Sequence, residues 1–564
     1  MINQAKRFEV VDPGRKRFGK HNDEEIMQSM GCSTTGKHDK RAFKCLGPWL
    51  RLGVYAVCLA AILVTQVSEV HAGAFTIPLI GTRASTRLAF TGRPDDTSAV
   101  YHNPAGIGLL EEARLDISGT GLFVDIDYKR CTRAFDGEDN TPGCYDGYED
   151  KVKPVPWGPF PPGFGILPFM GMSSRFGLEN WNFAFAVYSP HNATGSWPDC
   201  ERDDDGTPID CSGAPQRFDM IRGTINTLYL NPAVAYQPHP AITLGAGFSA
   251  VRAEVSLKQG LWVGGEDGYG SDLFWDGEGF LELKGAKWSY AFNFGLIWNL
   301  GETFPINNPW FKNIRIGVSY ASQTEFDFSG NIKITSPAIS SLSRSCERDG
   351  YSINCHAAAK FRFPMVVRAG IDWEIHKHGS IGLDVFWQNY SIFDKIHVHF
   401  PEPIVVRLPH HSEDIVLEER IMRKDSFDAV GVGAGGQWNV VRVPGLEFRA
   451  GFLWDQSPYP DSTYSIINPD ADKWGFSVGA SYRFNLARIG QMMTQLEISA
   501  GYGAMVYKKR RIRDSILVPS ICPPDHAECH EDFPEADFSV NGDINHSVHL
   551  FVLQVSGILT RIEE

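Results

Sequence analysis

Leu446-Glu447-Phe448-Arg449-Ala450-Gly451-Phe452-Leu453-Trp454-Asp455 repeats with a period of two. Leu446, Phe448, Ala450, Phe452 and Trp454 share one face, and Glu447, Arg449, Gly451, Leu453 and Asp455 share the other. Successive side chains of a strand point to opposite sides, so the stretch reads as a β-strand with one apolar and one polar or small face. The pattern recurs at Trp181–Tyr188, where Trp181, Phe183, Phe185 and Val187 alternate with Asn182, Ala184, Ala186 and Tyr188, and again over 367–375 and 476–484. About fourteen such runs fall between residues 114 and 559.

A soluble sandwich buries its apolar face, whereas a membrane barrel turns that face to lipid and the polar face to its lumen. Three features select the barrel. The runs are roughly 9 to 12 residues long, the length of a tilted membrane strand. Aromatic residues gather near run ends, at Trp181, Tyr188, Trp298, Tyr320, Trp387, Trp438, Trp454 and Tyr482, where an interfacial girdle is expected. Short connections such as Pro238-His239-Pro240 and His376-Lys377-His378-Gly379 alternate with long polar ones.

With 564 residues, 21% charged, and a mean hydropathy of -0.20, the chain is too polar for a helical membrane bundle. Its longest apolar stretch, 54–67, is shorter than the roughly 20 residues that cross a bilayer as a helix. It reads as the core of a secretory signal, with Lys37, Lys40, Arg41, Lys44 and Arg51 as its basic flank. Val70-His71-Ala72 supplies the cleavage site, so residues 1–72 form an N-terminal extension and signal peptide and the mature chain starts near Gly73. The first 29 residues match no pattern, and Met30 or Met27 is a candidate translation start. Beyond residue 72 there are 42 basic and 60 acidic residues, a balance that argues against nucleic-acid binding.

Eight of the eleven cysteines follow the expected cleavage site, in four close couples: Cys131 with Cys144, Cys200 with Cys211, Cys346 with Cys355, and Cys522 with Cys529. Each couple lies in a polar stretch between alternating runs. In an oxidising compartment this suggests local disulfides that clip loops, and the spacing does not suit a metal site.

Residues 73–113 lack sustained alternation. A wide lumen needs filling, and forty unstructured residues ahead of a barrel would be entropically costly to order in isolation, so a plug is inferred here. This stretch holds Asp95-Asp96-Thr97-Ser98-Ala99-Val100-Tyr101-His102-Asn103-Pro104-Ala105-Gly106. The motif is similar to the Asn-Pro-Ala hatch motif of the FadL/TodX (OmpP1) family of outer-membrane transporters. Three further stretches resemble that family in order: Ile225 to Tyr236 with Leu244 to Phe248; Phe363-Pro364 with Arg368-Ala369-Gly370 and Trp387 to Phe393; and Arg449 to Pro458.

The resemblance implies an all-β, 14-stranded antiparallel transmembrane barrel over residues 114–564, with a hatch over 73–113 plugging its lumen. It implies a monomer in the bacterial outer membrane that takes up hydrophobic compounds passively, long-chain fatty acids foremost. An apolar ligand is captured among the outer loops, held at an inner apolar site, and released sideways through an inward kink in one strand. Such a ligand gains from apolar burial throughout and never crosses a water-filled pore. No cofactor or metal is expected. Asn103, Pro104 and Ala105 occupy the hatch motif, where the proline fixes φ and Asn103 can bond locally to shape the bend. Phe75, Ile77, Leu79 and Ile80 are candidates to line the ligand site. Arg83, Arg87 and Arg93 are candidates to meet a ligand carboxylate, or else pair with wall acids such as Asp372, Glu374 or Glu447. The chain departs from typical barrels in ending without a terminal aromatic residue, Phe551 lying well inside the last strand.

Other chemistry fits less well. Glu201-x-Asp203-x-Asp205-Gly206 resembles a calcium loop, but its twelfth position is Ser212 where a bidentate Glu is needed. Gly431-Val432-Gly433-Ala434-Gly435-Gly436 lies in strand-like sequence and opens no helix, so it is no nucleotide fingerprint. No Ser/His/Asp constellation can be tied together along the sequence. Uptake of aromatic hydrocarbons or alkanes, and a surface receptor or adhesin that transports nothing, are the readings that share the barrel.

Overall fold

In a computed structural model of the chain, Leu446–Asp455 is a strand whose Phe448 is 49% exposed on the outside and whose Arg449 is 3% exposed within. The structure describes residues 80–130, 132–133, 144–145, 151–156, 161–202, 208–211, 213–262, 278–304, 313–335, 346–349, 352–375, 378–406, 415–467, 469–489, 492–517 and 541–561. The expected signal segment, Phe75, Ile77 and Leu79, and the acidic residues Asp203 and Asp205 lie outside them. So do Cys131, Cys522 and Cys529, and with them two of the four cysteine couples.

Strands β1 (Ala113–Arg130), β2 (Phe164–Ser174), β3 (Trp181–Tyr188, resuming at Ala193–Ser196), β4 (Arg222–His239), β5 (Ile242–Trp262) and β6 (Glu278–Asn299) follow in order. Four interrupted strands come next. They are β7 (Ile314–Ala321 and Thr324–Thr335), β8 (Ser352–Phe363 and Val366–Glu374), β9 (Gly379–Gln388 and Lys395–Val406) and β10 (Ile415–Arg423 and Ala429–Asn439). The wall is completed by β11 (Leu446–Asp455), β12 (Lys473–Ile489), β13 (Met492–Tyr507) and β14 (Gly542–Arg561). Each pairs antiparallel with its neighbours, and β1 closes on β14 from Ala113↔Leu559 to Arg130↔Gly542, giving a 14-stranded barrel. Closure gives every strand a partner on each side, so the sheet has no edge strand, the condition for crossing lipid as strands.

The outward face is apolar along Phe292, Phe294 and Leu296 of β6, Leu383 and Val385 of β9, Val478 of β12 and Leu553 of β14. Inward positions carry the polar residues Asp116, Asn293, Arg368, Asp372, Arg449 and Glu497, all buried. Two expectations need correction. β5 and β6 run for 21 and 22 residues, not 9 to 12. At about 3.3 Å per residue, 22 residues reach roughly 70 Å, so their outer halves stand clear of the hydrocarbon layer. Tyr188 is not a girdle residue: it is 3% exposed and points into the lumen.

Residues 80–110 fill the barrel. Helix α1 (Thr82–Arg87) is wholly buried, and α2 (Ala99–His102) leads through Asn103 into a 3-10 turn, Pro104–Leu109. Ile80, Ala99, Val100, Tyr101 and Ile107 join the wall residues Phe169, Ala186, Tyr188, Tyr229 and Ala233 in one apolar cluster.

Candidate functional site

The Asn103-Pro104-Ala105 bend works as local chemistry dictates. Asn103 caps the 3-10 turn, its Oδ1 accepting from the Ala105 amide at 3.2 Å. Its Nδ2 donates to the carbonyls of Thr91 at 3.0 Å and Leu296 at 3.2 Å, so one side chain ties the turn to the plug and to β6. Pro104 stands at the first position of that turn, where a missing N–H costs nothing.

Charged groups dock the hatch to the wall. Arg83 spans Glu447 of β11 and Glu497 of β13, each at 3.1 Å, and reaches Asp95 at 3.3 Å. Arg87, 1% exposed, is paired with Asp372 of β8 and donates to Ser380 Oγ at 2.9 Å. Arg93 meets Glu374 at 2.9 Å. Burial pushes the Asp95 carboxyl up, but Arg83 and then Arg93 outweigh it and hold it below its ordinary range. Uncharged partners add to the ring: the Asp384 carboxylate accepts from the amides of Phe90 and Thr91 at 2.6 and 2.7 Å, and Asp116 accepts from Thr97 Oγ1 at 2.6 Å. Glycines let the backbones meet. A Cβ on Gly433 or Gly435 of β10 would collide with the carbonyl oxygens of Leu88 and Arg87.

The structure therefore places Arg83, Arg87 and Arg93 against wall carboxylates. Ile80 sits in the hatch cluster, where its carbonyl accepts from His102 Nε2 at 2.9 Å, and it does not line the cavity described next. Sequence reasoning missed Glu497, Asp384 and Asp116 as hatch partners, although all three occupy inward positions of alternating strands.

On the long-loop side of the hatch lies a cavity of about 100 Å³. Its walls are Ile225, Val255, Leu283, Phe328, Phe361, Phe393, Ile396 and Met422, with hydroxyls from Thr463 and Ser465. Lys424, in the gap between the two parts of β10, brings the one ammonium among the described residues of this lining. Its amide donates to the Asp394 carbonyl at 2.7 Å, which fixes the backbone there. Asp219, in the loop preceding β4, is the charge that acts on it. Burial pushes the Asp219 carboxyl up to about 6, against the opposing hydrogen bonds from Ser465 and the Ile466 amide. That loop is clipped by a disulfide between Cys200 and Cys211, both buried beside Ile221 and Phe280; a second disulfide joins Cys346 and Cys355. No signal in the sequence singled out Lys424, which sits in an ordinary charged run, Arg423-Lys424-Asp425.

From the cavity, rings lead down to the hatch. Phe361 contacts Phe363 at 5.0 Å, Phe363 stacks on His191 at 4.3 Å, and His191 lies 5.9 Å from Tyr229. Tyr229 stacks on Tyr188 at 5.4 Å, and Tyr188 meets Tyr101 of the hatch at 5.4 Å. His191 belongs to the Ser189-Pro190-His191-Asn192 interruption of β3. Below it, β2 and β3 pair from Ser174↔Phe183 to Phe169↔Tyr188; above it, among the described residues, β3 pairs with β4 over Ala193↔Ile225 to Ser196↔Arg222, and Ser196 accepts from the Val155 amide at 2.8 Å. β3 thus leaves β2 beyond Tyr188 while β2 stays paired with β1 as far as Phe123↔Phe164. The proline cannot donate to a ladder, which is the local reason for a break at this point.

Residues 63–555 match the family described as outer membrane protein transport protein (OMPP1/FadL/TodX). The chain belongs to this family. It is 24% identical over 282 residues to the long-chain fatty acid transport protein of Escherichia coli K12, a match covering 46% of this chain and 57% of that one. The chain spans about half the length of the curated relatives that it matches. A FadL homologue of Pseudomonas aeruginosa superposes with a TM-score of 0.61 at 17% identity, covering 86% of this chain and 99% of the other. The Ralstonia pickettii toluene transporter TbuX gives 0.50 at 15% identity, covering 87% and 100%. At these identities the likeness is one of fold. With the closed barrel, family membership makes this an outer-membrane β-barrel, and family and fold are those of transport channels.

Proposed function

We propose that this family member carries hydrophobic compounds inward across the outer membrane, and that its preferred cargo is a long-chain fatty acid. One observation carries the cargo assignment: an apolar cavity above the hatch with Lys424 as the single ammonium among the described residues of its lining. A hydrocarbon tail gains roughly 25 cal/mol for each Å² that it buries, whereas its carboxylate needs a charged partner once out of water. A neutral hydrocarbon needs no such partner. In this reading residues 73–113 act as hatch and 114–564 as barrel, with Phe75, Ile77 and Leu79 as candidates to line the ligand site. The cargo enters past the clipped loops, rests in the cavity, follows the rings through His191 and Tyr188, and leaves sideways where β3 parts from β2. No covalent step is needed.

The test is uptake of labelled oleate and labelled toluene by a transporter-deficient host producing the protein. Oleate accumulates above the empty host, and Lys424→Met reduces oleate entry while leaving toluene unaffected. Absence of any ligand-dependent gain, with folded barrel present in the membrane, would sink transport and favour a receptor or adhesin. A gain for toluene alone would replace the fatty acid with an aromatic hydrocarbon.

A further inference from the structure

Six arginines in or around the hatch have a carboxylate within 4 Å: Arg83, Arg87, Arg93, Arg114, Arg449 and Arg483. Arg368 of β8 does not. It is 6% exposed, points inward, and forms no ion pair among the described residues. Its guanidinium lies over the ring of Tyr101, 4.9 Å from the centroid, and its Nη1 has no hydrogen-bond partner. Its cross-strand neighbours are Ser319 of β7, whose hydroxyl donates to the His102 carbonyl at 2.6 Å, and Phe386 of β9. Tyr101 and His102 face it from the hatch, and its charge also reaches Tyr188 of β3. No acid appears in that set. The Tyr101 ring, with the hydrogen bond between its hydroxyl and Arg368, offsets only part of the cost of burying a guanidinium, so the resting fold leaves this cation short of an anion.

Its position is informative. Tyr101 is the last ring of the series that starts at the cavity, and Tyr188, its neighbour at 5.4 Å, is the residue at which β3 breaks. An anion that followed the rings would arrive at Arg368 with its tail facing that break. A guanidinium offers a planar fork that matches a carboxylate bidentately, a stronger partner than a single ammonium.

We propose that Arg368 is a second carboxylate site, covered by Tyr101 at rest and uncovered when the hatch moves. It draws the cargo headgroup down from Lys424 and aligns the tail with the opening in β3. This rests on the fatty-acid reading above. Lys424 then sets capture, and Arg368 sets onward passage.

The experiment uses the full chain in liposomes with two probes of equal tail, oleate and oleyl alcohol, and separately measures octanoate binding in detergent. Arg368→Met should lower oleate flux at least tenfold, leave oleyl alcohol flux within twofold, and leave oleate binding at the outer cavity unchanged. Arg368→Lys should recover a good part of the oleate flux. Tyr101→Ala should tighten octanoate binding, and Arg368→Met in that background should abolish the gain. Equal losses for oleate and oleyl alcohol, or an Arg368→Met protein that moves oleate normally, would overturn the proposal. So would a Tyr101→Ala gain that survives loss of Arg368, or one that inorganic phosphate competes away as well as octanoate does. Failure of the wild-type protein to move oleate removes the fatty-acid reading, and the octanoate arm then decides alone whether Arg368 is an anion site.

Discussion

Asp372 receives Arg87 on one oxygen and has Arg93 3.9 Å from the other. Replacing Asp372 with Asn leaves Arg87 buried beside a neutral amide. Losing one partner of a buried pair costs about 3–5 kcal/mol, because the stranded charge stays out of water. The cost falls on hatch docking and not on the strand ladders, which do not use this carboxylate. Hydrogen exchange over residues 82–91 should therefore accelerate about a hundredfold or more in Asp372→Asn, with β11 to β13 still protected. Unchanged exchange in the hatch would show that the pair does not hold it. Asp219 makes a pH prediction. Its folded pKa, about 6, lies above the ordinary carboxyl value, so the folded loop holds a proton that an unfolded chain releases. The stabilisation is complete at acidic pH, below the ordinary value, and is lost as pH rises through about 6. Protection factors of the 216–221 amides should fall between pH 4 and 7, and Asp219→Asn should flatten that slope. A slope surviving in Asp219→Asn would assign it elsewhere. At this scale the hatch arginines and three of their acid partners were legible, since charged residues at inward positions of a filled lumen must find each other. Glu497 and Asp384 were not, because alternation reports which way a residue points and not what stands opposite.

Among the elements, the interruption of β3 matters most to passage. Four residues, Ser189 to Asn192, separate two strand segments that share no partner other than β4. Deleting Pro190 and His191 together removes the proline and the ring that stacks on Phe363, yet preserves the inward-outward phase of the strand. The continuous β3 should stay against β2, and oleate uptake should drop to host background while outer-cavity binding persists. Uptake at the wild-type rate in this deletion would rule out β3 as the exit. Strand alternation was plain from Trp181 to Val187, and the placement of Tyr188 in a girdle failed at the next residue. A girdle assignment looks only at proximity to a run end; Tyr188 shares the inward parity of Asn182, Ala184 and Ala186 and is buried against Tyr101 and Tyr229. The glycines of 431–436 were likewise read as strand, correctly, but the reason for Gly433 and Gly435 is the close approach of the hatch backbone.

For the whole molecule, the outward face is the part that lipid solvates. Leu383 of β9 is 47% exposed there, and its neighbour Asp384 faces the hatch. Leu383→Arg should lower the free energy of unfolding in liposomes by about 2–4 kcal/mol if it lies near the bilayer midplane. Folding equilibria by urea titration check this, and no loss would contradict the assignment of the lipid face. The barrel's inner volume is divided between a charged lower plug and an apolar upper cavity, with the Tyr101–Arg368 contact at their border.

The sequence alone determined the barrel, the disposition of its faces, the plug and the Asn103-Pro104-Ala105 bend. These follow from local rules: a period of two, the geometry of proline, and the need to fill a lumen. The tertiary structure alone decided which side chains converge. Lys424 and Asp219 are 205 residues apart, and Tyr101 and Arg368 are 267 apart. Barrel closure and strand register bring such residues together, and register depends on every hairpin between them, so no local pattern can announce a cavity, a covered arginine or the place where one strand leaves its neighbour.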